Sequence, residues 1–262
     1  MKRQVKQIGA ALVGVLLCTS AGAAITNFGD FTLNGNGNSM TAGLPIISGG
    51  GSTLQLTSGA VGSAAASAWH NSKVFVNQDF ALSFVFQQTQ DDWCDGFAMV
   101  FQNSGLTAVG GDGGSVGYGG IGQSAAIRFN LTPGSWGSDS NALHVVKDGS
   151  MSPLSFEKNT SFRMNVEPIG VSFNYNSVSG TMSYTVNNGV DAAFSGSQAM
   201  NLASMVGDTT AWFGFTAATG GKTSNLTYSN LSSTISVVPE PSTYAAFACL
   251  GTLLLVLLRR RK

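Results

Sequence analysis

The sequence predicts an all-β fold, an antiparallel sandwich, and three observations predict it. Glycine is abundant, at 34 of 262 residues, while charged residues make up only 10%. Threonine, serine, valine and phenylalanine are plentiful and glutamate is scarce, which favours strands joined by glycine-rich turns. Short segments alternate apolar and polar residues with the period of two that marks a half-buried strand. Nothing between these segments reads as a helical crossover, so a parallel α/β sheet is excluded.

Taken in order, residues 1–24 read as a secretory signal. Lys2, Arg3 and Lys6 form its basic start, Ile8 to Cys18 its apolar centre, and Ala21-Gly22-Ala23 a small-residue cleavage site. The body, residues 25–236, then supplies the strands. Thr53 to Thr57 alternates cleanly, and Ala64 to His70 leads into Lys73 to Val76. Phe80 to Phe86 carries aromatics at even positions. Gly96 to Gln102 is apolar on both faces, so it is predicted to lie centrally in a sheet. Ile127, Phe129 and Leu131 alternate with Arg128, Asn130 and Thr132, until Pro133-Gly134 stops the strand; another begins at Leu143. Segments 161–166, 170–175, 180–186 and 211–216 add further strands, with a hairpin turn inside Asn174 to Thr181. Only Gln198 to Met205 looks helical. No fixed-period repeat or compositional break divides this body, which is read as one domain.

Charge limits the partners. Between Asp30 and Lys222 there are twelve Asp and Glu against six Lys and Arg, and the remaining basic residues lie at the two ends. An acidic body argues against a nucleic-acid partner, which needs a basic face. Once Cys18 and Cys249 are removed with the ends, Cys94 is left alone, so no internal disulfide is expected.

Residues 237–262 have an order of their own. Val238-Pro239-Glu240-Pro241 precedes an apolar run from Tyr244 to Leu258, and Arg259-Arg260-Arg261-Lys262 ends the chain. The apolar run is short for a full span, and the basic end fits the positive-inside rule. This arrangement resembles the PEP-CTERM sorting signal of Gram-negative bacteria. The resemblance implies export, a short transmembrane helix, recognition of Pro239, Glu240 and Pro241 by an exosortase, and a final place in the cell envelope or outside the cell.

Four stretches carry candidate chemistry. Trp93-Cys94-Asp95-Gly96 sets a carboxylate at the mouth of an apolar strand. Gly110 to Ile121 is a glycine-rich loop without the Gly-Lys-Ser/Thr of a phosphate loop. Asn130, Asp139 and His144 flank a polar loop, and oxygen ligands with one histidine suit calcium beside a transition metal. Gly214-Phe215-Thr216-Ala217-Ala218-Thr219-Gly220 runs from a strand into a last glycine pair. In this order the four stretches resemble the legume-type (L-type) lectins over about residues 26–235. The resemblance implies a concanavalin A-like jelly roll with four loops gathered into a shallow sugar site. It makes Asp95 the acceptor for sugar hydroxyls, after a cis peptide at Cys94–Asp95, and Gly114 a backbone donor. It assigns Gly221 and Lys222 to the loop that tunes specificity, and Asn130, Asp139 and His144 to metal-ligand positions.

The chain departs from the family at the metal. Where the family reads Glu-x-Asp, this sequence has Arg128 and Asn130, and Gly134 stands where the family has an asparagine. A cation at Arg128 repels a nearby metal, and one remaining carboxylate, Asp139, lowers divalent affinity. Calcium stays a candidate cofactor, while a manganese-like ion is disfavoured.

Three function classes follow. The first is an exported carbohydrate-binding module for extracellular polysaccharide, with Trp136 or Tyr118 stacking on the sugar. The second is a structural surface or matrix protein that keeps the sandwich with a degenerate site. A glycoside hydrolase needs two facing carboxylates. The body has only Glu157 and Glu167, outside any clustered motif, so no enzymatic activity is expected.

Overall fold

The computed structural model describes residues 24–89, 95–132, 140–164 and 167–239. The strands are β1 (Phe31–Gly35), β2 (Ile46–Ser48), β3 (Thr53–Thr57), β4 (Ala65–His70) and β5 (Val74–Phe75). After them come β6 (Phe80–Thr89), β7 (Gly96–Gln102), β8 (Ser124–Asn130), β9 (Ala142–Lys147) and β10 (Ser155–Lys158). The last five are β11 (Ile169–Asn176), β12 (Thr181–Asn187), β13 (Phe194–Ala199), β14 (Thr210–Ala218) and β15 (Asn225–Ser233). Two short helices, α1 (Gly37–Thr41) and α2 (Leu202–Val206), complete the order. No helix among the described residues is long and apolar enough to cross a membrane. The signal and tail segments lie outside those residues, apart from Ala24, Val237, Val238 and Pro239.

Two antiparallel sheets result. The front sheet runs β1-β4-β14-β7-β8-β9-β10, with β5 added beside β14; the back sheet runs β13-β12-β11-β6-β15-β3-β2. One residue in two from each strand fills the space between them. Phe97, Met99 and Phe101 of β7, Ile127 and Phe129 of β8, and Phe213 and Phe215 of β14 meet Phe84 and Phe86 of β6, Phe173 of β11 and Tyr228 of β15. The paired residues Phe97 and Phe129 stack with ring centres 4.3 Å apart. Phe84 touches five aromatic neighbours across the two sheets. Burial of these rings is the main force holding the sandwich together.

The front sheet has a second dry surface. Loop 105–121 folds back over its outer face, so that Val116, Tyr118 and Ile121 pack on Trp69, Ala98, Val100, Ala126 and Val146. Trp69 Nε1 and Ser67 Oγ both donate to the Ala108 carbonyl at 2.7 Å. This cover explains why β7 is buried at every residue, and it holds the loop over the end of the sheet.

The strands expected around 53–57, 64–70, 80–86, 96–102, 170–175, 180–186 and 211–216 are present, with β7 in the centre of its sheet. The hairpin turn lies between β11 and β12, where Asn176 Oδ1 accepts from Ser179 N at 2.9 Å and Gly180 has φ +62°. Two expectations are corrected. Residues 161–164 are bends and turns, because Asn159 Oδ1 and Asn141 capture the backbone there. The helical segment starts at Leu202 rather than Gln198, since Gln198 and Ala199 still pair with Met182 and Thr181 as the end of β13.

Candidate functional site

The site is built at the end of the front sheet where β7 begins. Gly96 pairs with Asn130 of β8 and with Ala218 of β14. It has φ +136°, and a Cβ there would lie 2.0 Å from the Phe129 carbonyl oxygen, so only glycine can stand there. The backbone of Asp95 is held by the next strand, with Leu131 N donating to the Asp95 carbonyl at 3.3 Å. Its carboxylate therefore emerges at the rim of the sheet, half-buried. The expected cis bond at Cys94–Asp95 involves Cys94 and lies outside the described residues.

Two further loops converge on that carboxylate. After β14, Thr219 is fully buried and acts as a clamp. Its hydroxyl donates to the Val61 carbonyl at 2.8 Å and accepts from Ala64 N, while its own N–H donates to the Ala64 carbonyl. The Thr219 carbonyl in turn accepts from Gly113 N at 3.1 Å, tying the glycine-rich loop to the last loop. The approach is close. A Cβ placed on Gly220 would lie 3.0 Å from Asp95 Oδ2 and 3.2 Å from Gly113 Cα. A Cβ on Gly114 would lie 4.0 Å from Asp95 Oδ1. Asp95, Gly113, Gly114 and Gly220, drawn from three distant parts of the chain, thus share one shallow cup. Gly221 and Lys222 sit exposed beside it, and a Cβ on Gly221 would meet nothing within 4 Å.

Burial raises the pKa of Asp95 above the ordinary carboxylate value. The charge of Arg128 opposes that rise, and the neighbouring Asp112 adds to it. A half-buried carboxylate ringed by glycine backbone can accept hydrogen bonds from hydroxyl groups of a ligand, and it is too open to enclose one.

The expected metal positions look different. Asn130 is buried, but its Oδ1 already accepts from Thr132 Oγ1 at 2.6 Å and from Thr132 N at 3.2 Å. His144 is fully buried, in register opposite Arg128 and against the ring of Phe156. Asp139 lies outside the described residues. Among the described residues no three His, Cys, Asp or Glu side chains gather where a metal could be held. With Arg128 in register opposite the histidine and the amide oxygen occupied twice, the described residues alone do not fit a divalent ion.

One stacking candidate is corrected. Tyr118 is fully buried under the covering loop, its hydroxyl bonded to Ser124 Oγ at 2.8 Å and accepting from Gly149 N, so its ring cannot meet a sugar. Trp136 lies outside the described residues. Of the sorting residues, Pro239 is partly exposed, and Glu240 and Pro241 lie outside the described residues. Gly113, Thr219 and Gly220 lie within two of the stretches quoted from the sequence but carry no assigned role there, although they make the closest approaches to Asp95 or hold the loops that do. The signal that could have found them is the pairing of Thr219-Gly220 with Gly113-Gly114 across an Asp-Gly corner.

No protein-family model matches the chain, and no curated protein sequence matches it. Solved structures do. A seed lectin of Lotus tetragonolobus superposes with a TM-score of 0.67 at 16% identity, over 83% of this chain and 100% of that one. The basic winged bean lectin with Tn-antigen gives 0.65 at 16% identity, over 82% and 95%. Arcelin-5, a lectin-like defence protein from Phaseolus vulgaris, gives 0.65 at 18% identity, over 82% and 98%. The sandwich therefore has the fold of the legume lectins.

Proposed function

We propose that this chain is an exported, non-enzymatic carbohydrate-binding protein of lectin type. The observation that carries the reading is the meeting of Asp95 with Gly113, Gly114 and Gly220 at one rim of a legume-lectin sandwich. In this mechanism the Asp95 carboxylate accepts hydrogen bonds from two neighbouring sugar hydroxyls. The backbone N–H groups of Gly114 and Gly221 donate to sugar oxygens, and Lys222 reaches the next residue of a polymer. Charge-assisted hydrogen bonds to an ionised carboxylate are the strong ones, which places most of the selectivity on Asp95. A shallow site of this kind binds weakly alone and gains from many copies displayed against a polysaccharide.

Hydrolysis finds no support among the glutamates. Glu157 is occupied by the Tyr184 hydroxyl and by Gln198 Nε2 at 2.7 Å, at the edge where the two sheets meet, and Glu167 is exposed elsewhere. The acidic body keeps nucleic acid out of the reading.

Export and sorting complete the proposal. Residues 1–24 act as the signal peptide, 25–236 as the lectin body, and 237–262 as the exosortase-recognised tail that holds the protein to the membrane until cleavage. The final location is the cell envelope or the extracellular matrix of a Gram-negative bacterium, beside exopolysaccharide. Geometry favours this arrangement. Val237 bridges to Val74 near the Thr210 end of β14, whereas the cup lies at its Ala218 end, about 27 Å away along the strand. A tail leaving from Val237 then points the cup away from the membrane.

A second reading keeps the sandwich as a structural surface protein with a degenerate site. Arg128 and Asn130 at the expected metal positions favour it. A glycan array probed with the purified protein and with Asp95→Ala separates the two. Saccharide retention by the wild type, lost by at least about tenfold in the variant, supports lectin action. Equal retention by both, or none by either, supports the structural role.

A further inference from the structure

We propose that the guanidinium of Arg128 supplies the fixed positive charge beneath the cup that a divalent ion would otherwise provide, so that the cup assembles without metal.

Four observations lead there. The register of the front sheet sets Ser67, Thr216, Ala98, Arg128, His144 and Phe156 in one transverse row on the outer face. That row is two residues from the row of Gly96, Asn130 and Ala142, on which Asp95 rests. Arg128 is therefore anchored within the sheet, directly behind the acidic rim, and it is partly buried. Its charge is felt at Asp95, where it offsets part of the effect of burial. A second cation placed between Arg128 and His144 would meet a permanent positive charge at short range, with no group of three carboxylate, thiol or imidazole ligands among the described residues to offset it. Finally, hydrogen bonds already hold the described backbone of the cup. Thr132 fixes Asn130, Leu131 fixes Asp95, and Thr219 with Gly113 joins the two remaining loops. The inference concerns how the cup is built and stands whether or not saccharide is the ligand.

The test uses the full chain purified without chelator. Elemental analysis is expected to find calcium and manganese well below one per chain. The melting midpoint is expected to stay within about 1 °C in EDTA, in millimolar calcium and in millimolar manganese, since ions that do not bind the native state cannot shift it. Arg128→Lys, which keeps the charge, is expected to hold most of the wild-type midpoint. Arg128→Met is expected to lose about 4 °C or more and to gain nothing from added calcium. Stoichiometric metal, or a clear fall of the wild-type midpoint in EDTA, overturns the proposal. So does an Arg128→Met protein as stable as the wild type, or one that calcium restores. If Arg128→Met fails to accumulate, the wild-type and Arg128→Lys measurements still decide the question.

Discussion

Asp95 sits where burial and the proposed function pull in opposite directions. Its folded-state pKa is raised, so the native state binds that proton more tightly than the unfolded chain does. The ionised carboxylate consequently costs stability at neutral pH, and the cost disappears as pH falls below the ordinary carboxylate range. Two outcomes follow at this scale. Asp95→Asn is expected to melt higher than the wild type at pH 7, with the gain fading toward pH 3, as thermal scans across that range would show. In the proposed mechanism saccharide binding needs the ionised form, so affinity should fall as pH drops through the raised pKa, and Asp95→Asn should bind weakly at every pH. A glycine beside it is equally informative. Gly220→Ala places a methyl 3.0 Å from the carboxylate oxygen and 3.2 Å from Gly113 Cα without entering the core, so it should weaken binding while lowering the melting midpoint far less than a core substitution does. Asp95 and Gly114 are picked out in the sequence only through the lectin resemblance, since an Asp-Gly corner and a glycine-rich loop read by themselves as turns. Thr219 and Gly113 are not picked out. Their roles are backbone hydrogen bonds between segments more than one hundred residues apart, which no local spacing encodes.

At the scale of elements, alternation was readable wherever a strand had one apolar face. β6 and β7 declare themselves through phenylalanine. β15 did not, although it lies next to β6 at the centre of the back sheet. Its sequence, Asn-Leu-Thr-Tyr-Ser-Asn-Leu-Ser-Ser, is mostly polar, and a register shift after Ser229, with Asn230 at φ +53°, interrupts the pattern. Short edge strands such as β2 and β10 also escaped, because edges carry few buried residues. Edge β10 is fastened to the other sheet by Glu157, which binds Tyr184 and Gln198; burial first, then the glutamate's hydrogen bond and charge, push the tyrosine pKa up. The strands that position the cup tolerate less. Gly96→Ala sets a methyl against the Phe129 carbonyl and should separate β7 from β8, costing about 3 kcal/mol or more in a urea titration.

For the whole molecule, the two sheets stand or fall by the aromatic layer between them. Phe84 joins five rings drawn from both, so Phe84→Ala should cost about 3–5 kcal/mol and lower the urea midpoint of the entire sandwich in one transition. The layer was legible in composition. That the stretches around Asp95, Gly113-Gly114 and Gly220 gather over its rim was legible only through the resemblance of separated motifs, because chain closure over such distances leaves no periodic trace. The fold puts the cup at one end of β14 and the Val237 bridge at the other, which is the arrangement the proposed display requires. The most direct measurement is a titration of isotope-labelled protein with a saccharide retained on the array, followed by amide NMR. The account predicts saturable shifts confined to Asp95, Gly113, Gly114, Gly220, Gly221 and their neighbours, absent in Asp95→Ala. Shifts centred elsewhere on the sandwich, or unchanged by that substitution, would contradict it.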